Sequence, residues 1–89
     1  MKTGQTVMTR GIANRVANDE VFAKGVTAAM TLYLMHEWGN LSEEDKQLNE
    51  EALLTKDRIM GAYEIGSDKI WIITDPGHEV TTILFPDEY

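Results

Sequence analysis

The apolar side chains of the central region recur at every third or fourth position, which is the period of an α-helix. In the first stretch of this kind, Phe22, Val26 and Tyr33 fall on one side of the predicted helix. Other apolar residues broaden the stripe, so we expect the helix to be largely buried. The pair Asn18-Asp19 offers an N-cap for its start, and Gly39 is a C-cap residue that would end it.

A second helix is predicted to begin at Ser42, which is a favoured N-cap residue. Its first turn carries carboxylates, including Asp45, which favour the positive end of the helix dipole. Leu48 and Ala52 give this helix only a narrow apolar stripe. We therefore expect it to lie at the surface.

The last third of the chain is rich in β-branched and aromatic residues and predicts three strands, at 58–64, 69–74 and 79–85. Turn-forming residues at 66–68 and 75–77 separate them. Connections this short favour an antiparallel meander.

The N-terminal region predicts one more strand at residues 6–10, which Gly11 would end, followed by a short helical turn at 12–18. The predicted order is β-α-α-β-β-β in a single α+β domain over residues 1–89. We expect an antiparallel sheet with two helices packed on one face. The first strand would join this sheet through a long crossover, and its neighbour is not specified.

The three C-terminal strands are apolar on both sides, whereas a sheet with one solvated face should alternate. We place one set on one side: Ile59, Gly61, Tyr63, Ile70, Ile72, Val80, Thr82 and Leu84. The other set is Met60, Ala62, Trp71, Ile73, Thr81, Ile83 and Phe85. Two helices cover only one face, so we predict a homodimer interface formed by Trp71, Ile73, Ile83 and Phe85. The alternative is that the N-terminal segment or the C-terminal tail covers this face.

The chain is acidic, with 15 Asp and Glu residues against 8 Lys and Arg residues and a net charge of −7. This balance argues against direct binding to nucleic acid, which requires concentrated basic residues. It suits either solubility alone or a protein partner with a basic surface. The candidate partner-binding residues lie on or near the second helix: Glu43, Glu44, Asp45, Glu50 and Glu51. The alternative is that they form an ordinary solvated helix face.

Cysteine is absent, which excludes disulfides, thiolate catalysis and thiolate metal sites. A secreted domain of this size usually needs disulfides, so we expect a cytoplasmic protein. No apolar stretch is long enough to span a membrane.

The sequence contains no recognisable catalytic or metal-binding motif. His36-Glu37 resembles the start of a zinc-protease helix, but Asn40 stands where the second histidine ligand is required. His36 and His78 could act as acid and base in phosphodiester cleavage, but such a site needs phosphate-binding cations, and these are scattered along the chain. We therefore predict no catalytic residues, no metal site, no cofactor and no enzymatic activity.

Four segments carry a family resemblance: WGNLSEEDKQLN at 38–49, KIWIIT at 69–74, VTTILFPDEY at 80–89 and TRGI at 9–12. Together they resemble a family of small acidic proteins carried on bacterial plasmids, phages and integrated elements. The family pattern has an acidic residue followed by arginine and serine before the last strand, where this chain has PGHE at 76–79. A role tied to that arginine is therefore not expected here.

The resemblance implies an accessory role in conflict between mobile elements and their hosts, by analogy of genomic setting. Our leading hypothesis is a non-enzymatic binding protein that inhibits or modulates a host nucleic-acid-handling or defence complex through an acidic surface. One alternative is a ribosome-dependent ribonuclease-like toxin, because the order of elements resembles that class, although such toxins are typically basic. The other is a structural homodimeric protein-interaction module.

Overall fold

The computed structural model describes residues 1–89 and has an α+β architecture, which confirms the predicted class. It contains three α-helices, four β-strands and a final 3-10 helix. Their order is β1 Gln5–Met8, α1 Arg10–Asn18, α2 Glu20–Leu34, α3 Glu43–Thr55, β2 Ile59–Ile65, β3 Asp68–Thr74, β4 Val80–Leu84 and the 3-10 helix Pro86–Glu88. The predicted order lacks one helix, because residues 10–18 form a full α-helix rather than a turn. No helix is long and apolar enough to cross a membrane.

The strands form one mixed sheet in the order β1-β4-β3-β2. Strands β2, β3 and β4 pair antiparallel, as predicted for the meander. Strand β1 pairs parallel with β4, with Gln5 opposite Val80 and Met8 opposite Ile83. The prediction of an entirely antiparallel sheet was therefore wrong. No tight turn joins β1 to a neighbouring strand, so turn chemistry could not specify its direction.

Helices α1 and α2 begin at side-chain caps. Thr9 caps α1 by accepting a hydrogen bond from the backbone N–H of Ile12 at 3.4 Å. Asp19 caps α2 by accepting from the backbone N–H of Phe22 at 3.0 Å, which confirms the predicted start. Helix α2 ends at Leu34, five residues before the predicted C-cap Gly39.

Helices α1 and α2 cover one side of the sheet, which we call the helix face. The largest cluster of buried apolar residues lies between them and the strands. Its members from the helices include Ile12, Phe22, Val26, Ala29 and Tyr33, and its members from the sheet are Ile59, Tyr63, Ile70, Ile72 and Ile83. The opposite side of the sheet, which we call the open face, is not covered by these two helices.

Helix α3 lies beside the edge strand β2. The Asn49 side chain donates to the carbonyl of Met60 at 2.7 Å and accepts from the N–H of the same residue at 3.2 Å. The next outward-facing residue, Ala62, donates to the carbonyl of Trp38 and accepts from the N–H of Asn40. These contacts satisfy the outer edge of the sheet at both residues. Ala52 of α3 belongs to the same buried cluster as the residues of α2. The predicted pair of helices was therefore incomplete, because α1 packs on this side of the sheet as well, while α3 lies at its β2 edge.

The predicted assignment of β4 to the two faces was also wrong. Ile83 pairs with Ile72 and lies on the helix face, where it is 4% exposed. Phe85 packs its ring 5.7 Å from that of Phe22 on the same side. Trp71 and Ile73 lie on the open face instead. The four predicted interface residues do not share a surface, because a shift of one residue across the turn before β4 exchanges the faces.

The C-terminal tail covers part of the open face. The Tyr89 ring meets the Trp71 ring edge-on, with centroids 5.7 Å apart. Arg58 donates from Nη1 to the Tyr89 hydroxyl at 2.6 Å. This arrangement agrees with the alternative that the tail folds over the sheet. Dimerisation through Trp71 and Ile73 stays a prediction.

Candidate functional site

Helix α3 presents a continuous surface away from the sheet, which we call the outer face of α3. It begins because the Ser42 hydroxyl accepts from the N–H of Asp45 at 3.1 Å, as the sequence predicted. At about 100° per residue, four of the predicted carboxylates fall within an arc of about 120°. The outer face comprises Glu43, Glu44, Gln47, Glu50, Glu51 and Leu54, all exposed.

The negative charge of this face is only weakly compensated. Lys46 approaches Glu43 at 3.7 Å, but the Glu43 side chain is 93% exposed, so the pair contributes little. Glu50 accepts a hydrogen bond from Nε1 of the buried Trp38 at 2.7 Å, so its carboxylate is anchored. The fifth predicted residue, Asp45, lies elsewhere and lines a cavity with Arg58 and others. The structure thus brings together four of the five predicted acidic residues.

Leu54 is the most exposed large apolar side chain of the protein, at 88%. It lies within the acidic arc, about one helical turn after Glu50 and Glu51. Leu54 was not predicted as a site residue, although its spacing from these glutamates places it on the same helix surface. An isolated exposed leucine is ordinary, but Leu54 directly follows Glu50 and Glu51 on the same helix surface, and an apolar side chain beside charged ones resembles an interface contact with a polar rim.

A second candidate site lies at one end of the sheet and was also missed. It is a cavity of about 510 Å³ between the N-terminal segment, the ends of α2 and α3, and the turn before β4. Its polar lining includes both histidines and two lysines, so we call it the basic cavity. The residues that define it are Lys2, His36, Lys56, His78 and Glu79.

The basic side chains of this cavity are held by an ordered framework. The N–H of Gly77 donates to the carbonyl of Lys56 at 2.8 Å, and His78 donates from Nε2 to the carbonyl of Asp57 at 2.8 Å. These two bonds join the end of α3 to the turn before β4. At the end of α2, the His36 ring stacks on Trp38 with centroids 5.4 Å apart.

This cavity is hard to predict from the sequence, because its residues come from four separate segments. Each histidine considered alone appeared to be a helix-end or turn residue. The only available signal was that the ends of both central helices and the turn at 75–77 all carry polar side chains. Their convergence depends on the packing of α3 against β2, which the sequence did not predict.

A chain of hydroxyls is buried beside the sheet. Thr81 donates to the carbonyl of Thr3 at 2.8 Å, so it must accept from Thr74, also at 2.8 Å. Thr74 then accepts from the Tyr33 hydroxyl at 2.6 Å. Burial raises the pKa of Tyr33 to about 12. The hydroxyl stays protonated at neutral pH and serves as a structural donor.

No group of three or more His, Asp or Glu side chains is arranged to hold a metal ion. The candidate sites are therefore the outer face of α3 and the basic cavity. Comparison with known protein families, with curated proteins and with solved structures finds no match for this chain.

Proposed function

We propose that this chain is a non-enzymatic binding protein of mobile-element origin, and that the outer face of α3 binds a basic surface on a protein partner. The observation that carries the proposal is the exposed Leu54 inside an arc of exposed glutamates. The family resemblance of the sequence supports the mobile-element origin.

The outer face of α3 has the composition of a small interface. Protein interfaces combine a desolvated apolar centre with a polar rim that excludes water and steers the partner. Leu54 supplies the apolar contact, and Glu43, Glu44 and Glu51 supply the rim. Carboxylates at a rim chiefly raise the association rate with a positively charged partner.

The average density of negative charge along the outer face of α3 favours a partner that handles nucleic acid. Glu43 and Glu51 are eight residues apart, or about 12 Å along the helix axis. Four carboxylates over this distance average about one charge per 3–4 Å, and they form two adjacent pairs, Glu43-Glu44 and Glu50-Glu51, about 9 Å apart. A single DNA strand carries about one phosphate per 3.4 Å of axis. The outer face therefore offers a charge density similar to that of one strand, and we expect it to compete with nucleic acid for the partner's basic groove.

The test uses a triple variant, Glu43→Gln with Glu44→Gln and Glu51→Gln. Glu50 is kept because it anchors Trp38. A matched control removes the same charge elsewhere through Glu20→Gln, Glu64→Gln and Asp87→Asn, all at exposed positions. A partner is captured from host lysate with the wild-type chain, and its dissociation constant is measured at several salt concentrations.

We expect the wild-type affinity to fall steeply as salt rises and a DNA or RNA oligonucleotide to displace the chain from its partner. The triple variant should bind at least about tenfold more weakly, whereas the control should stay close to wild type. A flat salt dependence, or equal losses in both triple variants, would count against the proposal.

A further inference from the structure

We infer that the basic cavity binds the phosphate group of a small organic molecule. The lining has a charge opposite to that of the protein as a whole. Lys2 and Lys56 against Glu79 give it a formal charge of +1, whereas the chain carries −7. Both histidines line the same cavity and add ring nitrogens that can form hydrogen bonds.

The two lysines of the basic cavity form no ion pair within the protein. Arg15, Lys24 and Lys46 each form an ion pair with a carboxylate. Lys2 and Lys56 form none, although Glu79 lines the same cavity. Their ammonium groups are therefore available to an anion that enters the cavity.

The free nitrogen of His78 also faces accessible space. A carbonyl can only accept, so Nε2 carries the proton that is donated to Asp57. This leaves Nδ1 without a protein partner. No buried side-chain nitrogen or oxygen in the structure lacks a hydrogen-bond partner, so Nδ1 must be solvent-accessible. Nδ1 is then an acceptor and can receive a hydrogen bond from a protonated phosphate oxygen.

The arrangement suits a tetrahedral anion better than a planar one. Lys2, His36, Lys56 and His78 come from four segments and approach the cavity from different directions. A phosphate presents three oxygens in different directions and can contact donors that approach from several sides, whereas a carboxylate presents two oxygens in one plane. Lysine acts as a point charge and suits phosphate.

The size of the cavity indicates more than a free phosphate ion. Its volume of about 510 Å³ falls within the usual range of small-molecule sites, which is about 300–1,000 Å³. Leu53 and Met1 add apolar surface to the lining. An organic group attached to the phosphate would occupy the remaining space and contact these side chains.

The backbone of the basic cavity contains several residues in the left-handed conformation. The chain has three non-glycine residues with left-handed backbones: His36 at φ 63°, Lys56 at φ 62° and His78 at φ 58°. All three line this cavity. His36 and Lys56 follow the ends of α2 and α3, where a left-handed residue is common, although glycine usually occupies that position. His78 lies in the turn before β4, and all three conformations are fixed by the surrounding fold.

The test is an NMR titration of the isotope-labelled full chain at constant ionic strength. The probes are inorganic phosphate, a nucleoside monophosphate and acetate. We expect saturable shifts of the amides of Lys56, Gly77 and His78 with both phosphates, tighter binding of the monophosphate and little response to acetate. No saturable response to either phosphate, stronger binding of acetate, or equal affinity for the two phosphates would overturn the assignment to an organic phosphate.

Two variants locate the site. Lys56→Asn removes the charge with a residue that tolerates the left-handed conformation, and Lys2→Gln removes a charge without any such constraint. Each should weaken binding of the monophosphate by about tenfold. Lys69→Gln is the control, because Lys69 is exposed and unpaired on β3, outside the cavity. Unchanged binding in both Lys56→Asn and Lys2→Gln, or an equal loss in Lys69→Gln, would place the phosphate elsewhere.

Discussion

The carboxylate of Glu88 accepts a hydrogen bond from the hydroxyl of Thr9 at 2.6 Å, which joins positions 79 residues apart. The same carboxylate accepts from the N–H of Gly11 at 3.1 Å and from that of Phe85 at 2.8 Å. It therefore lies at the N-terminus of α1, where a negative charge is favoured. A nine-residue helix is marginal alone, so the tail contributes to its formation.

Replacing Glu88 with glutamine should destabilise the protein. The variant loses the charge that faces the N-terminus of α1 and weakens three hydrogen bonds. We expect the free energy of unfolding to fall by about 1 kcal/mol. The melting temperature should fall by about 4–8 °C. Asp87→Asn is the control because Asp87 makes no side-chain hydrogen bond. If the two variants have the same melting temperature, the contacts of Glu88 do not contribute to stability.

The contribution of Glu88 should depend on pH. The pKa of Glu88 lies below its usual value of 4.5, because the Thr9 hydroxyl and then the N–H groups of Phe85 and Gly11 stabilise the charged form. The unfolded chain therefore binds the proton first as pH falls. The stabilisation is complete above pH 4.5 and is lost as pH falls through the lower pKa of the folded state.

Urea unfolding of the wild type and of Glu88→Gln should therefore converge below pH 4.5. Asp19, whose pKa is also lowered, is present in both proteins and cancels in the comparison. A difference in stability that stays constant down to acidic pH would contradict a role for the charge.

The stability of the protein should depend on Thr74, the middle residue of the buried hydroxyl chain formed by Tyr33, Thr74 and Thr81. Thr74→Val keeps the shape of the side chain but deprives Tyr33 of its nearest acceptor. We expect a loss of about 1–3 kcal/mol in unfolding free energy. Thr82→Val, on the open face and without a hydrogen bond, should have little effect. Tyr33→Phe combined with Thr74→Val should cost less than the two single changes together, and simple additivity would show that the hydroxyls are not coupled.

Asn49 should be required for the outer edge of β2. Asn49 is 5% exposed and forms two hydrogen bonds with the backbone of Met60. Asn49→Ala should lower the free energy of unfolding by about 2–3 kcal/mol. It should also promote self-association, because an unpaired strand edge is exposed. Chemical unfolding and light scattering measure the two effects, and Gln47→Ala on the outer face of α3 should leave both unchanged.

The predicted homodimer now depends chiefly on Trp71, because Ile73 lies on the same open face but is only 5% exposed. Light scattering at micromolar concentration should give twice the 10.0 kDa mass of one chain. Trp71→Glu should yield a monomer, because it places a charge on the open face. Tyr89→Ala should strengthen the dimer by uncovering Trp71. A wild-type monomer at this concentration would refute the dimer.

The elements that local chemistry determines were predictable. Asp19 and Ser42 begin their helices as expected, because each bonds a backbone N–H three residues ahead. The three C-terminal strands also form close to their predicted bounds, since the turns that separate them carry their own signals. In all of these cases the interacting residues are neighbours in the sequence.

The failures share a different cause, which is dependence on distant partners. Helix α1 was underestimated because its N-terminus is completed by Glu88. The two faces of β4 were assigned the wrong way round because this strand carries apolar residues on both sides. Only the pairing of Ile83 with Ile72 shows which side faces the helices. The basic cavity was missed because His36 and His78 meet only when three elements pack together.

The position of β4 between β1 and β3 also affects the order of folding during synthesis. Strand β1 leaves the ribosome first but has no neighbour until Val80–Leu84 has been made. The nascent chain can assemble α2 and the hairpin of β2 and β3 while Gln5–Met8 remains an unpaired, extended segment. Closure of the sheet by such a distant pairing should be slow, and the unpaired segment gives chaperones or other chains time to bind it.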